Sequence, residues 1–428
     1  MTRPYRVVDA RRTGDVFAAL REALSEGGAA VVPRNVGADG VGAGRNGVGG
    51  TRPDGAGADG AWPDDPGGAG GLWPDDPGGE GGAWPSATER APQNVALVIE
   101  TSGSTGVPKR VALSGDALLA SAAASAGAMG GQGQWLLALP AHYVAGAQVL
   151  VRSLAAGTEP VVYGDGHFDP LRFAGLAGEL SDDLRYTSLV PVQLARLVEA
   201  AEGGAREVGS ALRRFDGILV GGQALDRGLR ERAEALGARL LATYGSSETA
   251  GGCVYDGVPI GPTVVREVDG LLEISGPTLA EGYLGDPERT AAAFHEEDGV
   301  RWYRTGDLGD VRDGRVTVRG RSDNVIISGG EKVLLDTVER LVRSWEGLAD
   351  AVVVAAEDAR WGQVPVVVTT GSADLVGLRS LVAEQLGRAA APARIVTVGE
   401  LPHLSSGKPD RVAAARLARG DGAERPGA

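Results

Sequence analysis

The apolar positions of this chain come in short runs separated by amphipathic stretches. Asn94–Glu100, NVALVIE, is one such run and reads as a buried strand. Ahead of it, Tyr5–Val8 and Ala29–Val32 read as strands on either side of a helix at Gly14–Leu24. After it, the pattern predicts helices at Asp116–Met129, Val144–Ala155, Pro191–Ala201 and Asp226–Leu236, the last closed by Gly237. Strands at Trp135–Leu139, Pro160–Tyr163, Tyr186–Val190, Phe215–Val220 and Arg239–Thr243 lie between them. Strand and helix take turns, which predicts an α/β fold with a largely parallel sheet. From Gly261 the runs shorten to strands such as Leu271–Ser275 and Arg315–Arg319, a β-rich subdomain. Beyond Gly320 the pattern predicts a compact α+β unit. Its helices fall at Leu335–Ser344, Asp374–Leu386 and about Asp410–Leu417, and its strands at Ala351–Ala355, Pro365–Thr369 and Arg394–Val398. The natural boundary lies near Gly320–Asp323.

One region breaks the pattern. From about Asn35 to Gln93 the chain is mostly Gly, Ala, Asp and Pro, and WPDDPGG occurs at Trp62–Gly68 and again at Trp73–Gly79. That repeat is too short and too rich in Gly and Pro for a solenoid. It offers little apolar surface against its ordering entropy, so residues 35–93 are expected to be a disordered, low-complexity insertion. The expected organisation is therefore 1–34, the insertion 35–93, a main domain 94–320, a second domain 321–420 and a tail 421–428.

Composition narrows the function. A chain of 428 residues suffices for two or more domains, and a net charge of −14 argues against a nucleic-acid partner. The single cysteine, Cys253, excludes an internal disulfide and a Cys-rich zinc site. No apolar run reaches the roughly 18 residues of a membrane helix, and MTRPYRVVDARRTGDV lacks the apolar core of a signal peptide. These features fit a cytoplasmic chain with no membrane segment, and a homodimer is compatible with them.

Candidate chemistry sits where strands end. After Glu100 come Thr101, Ser102, Gly103, Ser104, Thr105 and Gly106, then Lys109. Such a loop can converge N–H groups, hydroxyls and a positive charge on phosphate oxygens. It is not the Walker A pattern, since Pro108 precedes Lys109 and Arg110 follows it. Read alone, it also fits a Ser/Gly surface loop. Tyr244, Gly245, Ser247, Glu248 and Thr249 follow the strand Arg239–Thr243. Ligands of open α/β sheets bind beyond such strand ends. Glu248 could hold Mg²⁺, which prefers carboxylate and phosphate oxygens; Ser247 could bond a phosphate and Tyr244 stack on a base. Asp307, in YRTGDL, suits a pair of ribose hydroxyls, and Arg321 could reach a phosphate or ribose. Lys408 is one of three lysines in the chain and sits on a loop between Gly407 and Pro409. Singly, each motif also fits a solvated turn.

Together, TSGSTGVPK, YGSSET, YRTGDL, GRSDNVIISGGEKV and the late GK resemble, in this order, the adenylate-forming superfamily of acyl- and aryl-CoA ligases, luciferases and adenylation domains. LPAHYVAGAQVLVRSL, TSLVPVQL, GGQAL and ETAGGCVYDGVP are similar to the 2-succinylbenzoate–CoA ligases within it. The resemblance implies a large N-terminal α/β domain with a β-rich subdomain and a small mobile α+β C-terminal domain. It implies small-molecule partners: ATP, Mg²⁺, coenzyme A and an aromatic dicarboxylic acid. Thr101–Lys109 would embrace the ATP phosphates, Tyr244 pack on adenine, and Ser247 and Glu248 serve the α-phosphate and Mg²⁺. Asp307, assisted by Arg321, would hold the ribose. His142 would gate the acyl pocket, Asp323 act as hinge, Gly329 and Gly330 approach the thioester site, and Lys408 drive adenylation. Gln148, Arg152 and Thr249 are candidates for the substrate's second carboxylate. Arg110 replaces the glycine usual after Lys109, and the insertion is foreign to the family. Two other readings stay open: a ligase for another acid, and an inactive nucleotide-binding interaction protein.

Overall fold

The computed structural model describes residues 1–25, 28–34, 90–102, 108–402 and 409–419. Gly103, Ser104, Thr105, Gly106, Lys408, most of the insertion and the 421–428 tail lie outside the described residues.

The first sheet is built on the opening apolar runs. Strands β1 (Tyr5–Asp9), β2 (Ala30–Arg34) and β3 (Val95–Ser102) run parallel, with helix α1 (Thr13–Leu24) crossing from β1 to β2. Strand β4 (Pro108–Ser114) then turns back antiparallel on β3, pairing Thr101 with Lys109 and Glu100 with Arg110. This corrects the sequence reading of Thr101–Arg110 as one loop. Alternation continues through Val111 and Leu113, which are fully buried, so Lys109 is a strand residue projecting from a hairpin. The short strand Gly282–Tyr283 closes the sheet on the free edge of β4. Strand pairing also resumes earlier than the expected domain start at residue 94. Ala91–Pro92 pairs with Thr2–Arg3, so residues 90–93 belong to the fold.

Helix α2 (Gly115–Met129) begins with Ser114 accepting from the Ala117 N–H and ends at Gly130 in the left-handed region. It packs against both β4 and the second sheet. That sheet carries β5 (Gln134–Leu137), β6 (Val161–Val162), β7 (Arg185–Leu189), β8 (Gly217–Val220), β9 (Leu240–Ser246), β10 (Gly251–Tyr255) and β11 (Val258–Pro259). Their spatial order is β11-β10-β9-β8-β7-β5-β6. The parallel expectation holds from β6 through β9, while β10 and β11 extend the edge antiparallel. Helix α3 (Val144–Ala156) covers β5. Two further helices, Pro170–Gly178 and Arg206–Arg214, escaped the sequence reading although their signals were there. Asp169 caps the first directly before Pro170, and Val208, Ala211 and Leu212 space a buried face on the second.

A third sheet is wholly antiparallel: β12 (Val264–Val268), β13 (Leu271–Ser275), β14 (Phe294–Glu297), β15 (Val300–Arg312) and β16 (Arg315–Arg321). It contributes Leu272, Ile274, Tyr303 and Val316 to the same core that holds Leu97, Leu113 and Val149. The C-terminal unit has strands β17 (Val325–Ser328), β18 (Glu331–Leu334), β19 (Val352–Asp358), β20 (Gly362–Thr369) and β21 (Arg394–Thr397). Helices α4 (Leu335–Arg343) and α5 (Leu375–Leu386) cover one face, and Arg411–Arg419 packs with Leu401 on the other. The unit is tied back to β16 at the expected boundary. Asp336 accepts the Arg321 N–H at 3.1 Å, and Arg340 donates to the carbonyls of Val318 (3.3 Å) and Arg319 (2.8 Å). Gly320, at φ +154°, allows this approach, because a Cβ there would stand 2.6 Å from Asp336.

Candidate active site

The end of β9 is the hub. Its last residues and the 3₁₀ turn Ser247–Thr249 carry two polar clusters a few residues apart. The first gathers on Glu248, which is 3% exposed. Lys109 reaches it from the hairpin, with Nζ donating to Oε1 at 2.6 Å. The Tyr283 hydroxyl donates to the same Oε1 at 2.9 Å and accepts from Lys109 at 3.3 Å. The ammonium also lies 4.9 Å from the centre of the Tyr283 ring. Burial pushes the Glu248 carboxyl up, but the Lys109 charge and hydrogen bond outweigh it and hold the group below its ordinary range. Glu248 is therefore a buried carboxylate kept ionised. Removing Lys109 alone would leave that charge unpaired, at about 3–5 kcal/mol.

The second cluster gathers on Asp307. The Tyr244 hydroxyl donates to Oδ2 at 2.6 Å, and Arg321 donates to Oδ1 at 3.2 Å. Asp307 and Arg321 are register partners on β15 and β16. The turn is locked by Thr305, whose hydroxyl accepts the Asp307 N–H at 2.9 Å and donates to the Leu272 carbonyl at 2.7 Å. Gly306 makes the turn at φ +72°, close under the Arg321 guanidinium. Arg321 also bonds the Thr305 carbonyl (2.8 Å) and both oxygens of Asp323 (3.3 and 3.2 Å). It thus links Asp307 to the residue expected to be the hinge. Here burial wins, and the Asp307 carboxyl is pushed above its ordinary value despite Tyr244 and Arg321.

The remaining candidates divide. His142 lies in the loop between β5 and α3, beyond the carboxyl end of a parallel strand, with its ring 4.1 Å from that of Tyr143. Burial lowers its pKa, and its Nδ1 has no hydrogen-bond partner among the described residues. Gly245 marks a close crossing of β9 and β10, since a Cβ would stand 2.1 Å from the Gly251 carbonyl. Ser247 is buried at the start of the turn. Thr101, the next-to-last residue of β3, carries a buried hydroxyl with no partner among the described residues. Gly329 and Gly330 both have positive φ, and Gly329 donates to the Trp361 carbonyl at 2.8 Å.

Of the three candidates for a second carboxylate, Gln148 and Thr249 both sit against the Ala250–Gly251 segment, and Arg152 lies further along α3. Thr249 spends its hydroxyl on its own turn, accepting the Ser246 N–H (2.9 Å) and donating to Gly251 O (2.7 Å). Gln148 is fully buried and donates to the Ala250 carbonyl at 2.8 Å. Arg152 is ten residues beyond His142, roughly 15 Å along the helix axis. Its guanidinium lies over Trp135 at 4.9 Å, at the amino end of β5, beside Met129 and Gly131. That is the end of the sheet opposite the loop bearing His142. The sequence reading missed Tyr283 altogether. Its only signal was a Gly-Tyr pair in a stretch of no clear periodicity.

The model of the AMP-binding enzyme family matches residues 71–271, and that of the AMP-binding enzyme C-terminal domain matches 337–408. The first match begins inside the stretch read as foreign to the family. A protein of Mycobacterium tuberculosis (strain H37Rv) described as a probable 2-succinylbenzoate–CoA ligase is 39% identical over 343 residues, covering 78% of this chain and 87% of the relative. The chain belongs to the 2-succinylbenzoate–CoA ligase family of AMP-binding enzymes. The ligase of that name from Escherichia coli K12 is 30% identical, covering 74% of this chain and 67% of its own. Among solved structures, o-succinylbenzoate CoA synthetase of Bacillus subtilis in complex with its acyl-adenylate intermediate superposes with a TM-score of 0.64 at 27% identity, over 75% of this chain and 69% of that one. The family fold accounts for the adenylate-forming architecture seen here, a large α/β part with a β-rich sheet and a small α+β unit.

Proposed function

We propose that this chain uses ATP to activate 2-succinylbenzoate as an acyl adenylate and passes the acyl group to coenzyme A, a step of menaquinone biosynthesis. One observation carries the reading. Strand β9 and its turn hold an ionised, lysine-paired carboxylate and a tyrosine–aspartate–arginine cluster side by side, the two kinds of group that a nucleoside triphosphate needs.

The substrate carboxylate attacks the α-phosphorus, and the bond from that phosphorus to the bridging oxygen breaks, releasing pyrophosphate. A carboxylate is a poor acyl donor because its leaving group would be oxide; the phosphate ester supplies a stable leaving group. The thiolate of coenzyme A then attacks the acyl carbon and AMP departs. The protein's part is to position and to stabilise charge. Lys109, Thr101, Ser102 and the hairpin tip would take the phosphates, Ser247 the α-phosphate, Tyr244 the adenine face, and Asp307 with Arg321 the ribose. His142 borders the acyl pocket at the sheet's carboxyl end. Lys408 would bring a further positive charge to the departing pyrophosphate, and turning about Asp323 would exchange it for the Gly329–Gly330 face.

Mg²⁺ fits this site in one way. Among the described residues no group of three His, Cys, Asp or Glu side chains could hold a metal, but one buried carboxylate is present in Glu248. Mg²⁺ is commonly held by one or two carboxylates with the substrate's phosphates. Bound so, it would neutralise phosphate charge. Among the described residues no helix is long and apolar enough to cross a membrane. The reading places the reaction in the cytoplasm.

The test is direct. Incubation with ATP, Mg²⁺, coenzyme A and 2-succinylbenzoate is expected to give the thioester by mass. A panel of other aromatic and acyl acids should give less. Preference for another acid would redirect the substrate, and absence of thioester and adenylate with every acid would sink the reading.

A further inference from the structure

Tyr283 is placed with unusual care for a residue with no assigned part. Its strand pairs it with Val111 on β4, two residues from Lys109. Three residues earlier, Ala280 donates its N–H to the backbone carbonyl of Glu248 at 2.8 Å, so the two segments are stitched together. Thr290 accepts the Tyr283 N–H at 2.9 Å, and Gly282 at φ +145° lets Thr290 come that close. The ring packs edge-on to Phe294, centroids 6.0 Å apart. Backbone and ring are thus both fixed, and the hydroxyl is delivered to Glu248 Oε1 and Lys109 Nζ.

The chemistry explains why a tyrosine is wanted. In the present arrangement Lys109 is held by Glu248. If Lys109 is to serve the phosphates of ATP, it must loosen from that carboxylate, which sits almost wholly out of water. A buried carboxylate stripped of its donor is costly and free to turn. A second cation in this place would cancel the charge that makes Glu248 useful to a metal ion. A neutral O–H donor keeps the carboxylate oriented and leaves its charge intact. Both donors meet on Oε1, so one can stay while the other leaves.

We propose that Tyr283 is a positioning residue: its hydroxyl holds the Glu248 carboxylate in place when Lys109 transfers from it to the phosphates. This rests on the ATP reading above.

The experiment measures ATP binding calorimetrically on the full chain, with and without Mg²⁺, and needs neither acid nor turnover. Tyr283→Phe keeps the ring beneath Lys109 and the packing on Phe294. It is expected to lose about tenfold to a hundredfold in affinity for ATP in the presence of Mg²⁺, the worth of one hydrogen bond to a charged group. Without Mg²⁺ the loss should be smaller, and the melting temperature should fall only slightly, because Lys109 still holds Glu248 in the free protein. Replacing Tyr283 by 4-aminophenylalanine, a neutral N–H donor on the same ring, should restore the lost affinity. Unchanged Mg²⁺-dependent binding in Tyr283→Phe would overturn the inference. So would equal loss in both conditions, or a folded aminophenylalanine variant that restores nothing; this last arm decides if the phenylalanine variant does not fold. A wild type that binds no ATP in either condition would overturn the ATP reading itself, and this inference with it.

Discussion

Glu248 and Asp307 are both acidic, both sunk into the same site, and pushed in opposite directions. Glu248 has a lysine almost to itself and is held ionised. Asp307 has a neutral tyrosine and an arginine that it shares with Asp323 and a backbone carbonyl, and burial raises it. The difference lies in how undivided the positive partner is, more than in depth. An undivided cation makes a carboxylate fit for phosphate and metal charge. A shared one leaves a hydrogen-bond acceptor for neutral hydroxyls, and it spends the rest of the arginine on the joint between the domains.

If that contrast is right, changes at the two positions should differ in kind. Glu248→Gln removes a charge from the reacting centre and strands Lys109. Adenylation, followed by pyrophosphate release, should fall by about a hundredfold or more, in the rate at saturating ATP. Asp307→Asn keeps the size and an acceptor but weakens a contact that is the same before and during reaction. The KM for ATP should rise by about tenfold while the rate at saturation changes little. A loss of rate at Asp307 as large as that at Glu248 would erase the distinction.

The smallest effect is on stability, and its sign follows from the two shifts. Glu248 has a lowered pKa, so its ionised form stabilises the fold above the unfolded value and that contribution is lost as pH falls through the folded value. Asp307 has a raised pKa, so its contribution is present below the unfolded value, near 3.9, and is lost as pH rises through the folded one. Asp307→Asn should therefore raise the melting temperature at neutral pH by about 2 °C, with the gain fading in acid. Glu248→Gln should lower it at neutral pH. Thermal melts from acid to neutral pH check both.

Much of this was legible in the chain. Val95–Ile99 and the runs of the parallel sheet announced themselves because buried parallel strands are apolar on both faces. The turn motifs placed Glu248, Asp307 and Arg321, since small and acidic residues at strand ends leave a pattern. What stayed hidden was direction and partnership. Helix α3 was visible, yet nothing in its periodicity shows that Arg152 lies over Trp135 at the amino end of β5. Strand β15 was overlooked because Gly306 and Gly309 interrupt its alternation. Lys109 was read as a loop residue because the hairpin's return strand begins at a proline. Tyr283 could not be found at all, for its role depends on an edge strand's pairing with β4, some 170 residues away in sequence.

The central claim is that the two clusters on β9 and its turn form one ATP site that yields an acyl adenylate. Withholding coenzyme A tests it most directly. Wild-type protein incubated with ATP, Mg²⁺ and 2-succinylbenzoate should retain the acyl adenylate, identified by mass after release from the protein, and Glu248→Gln should retain none. Thioester formation on adding coenzyme A, without any adenylate trapped beforehand, would contradict it, as would an adenylate that Glu248→Gln makes as readily as wild type.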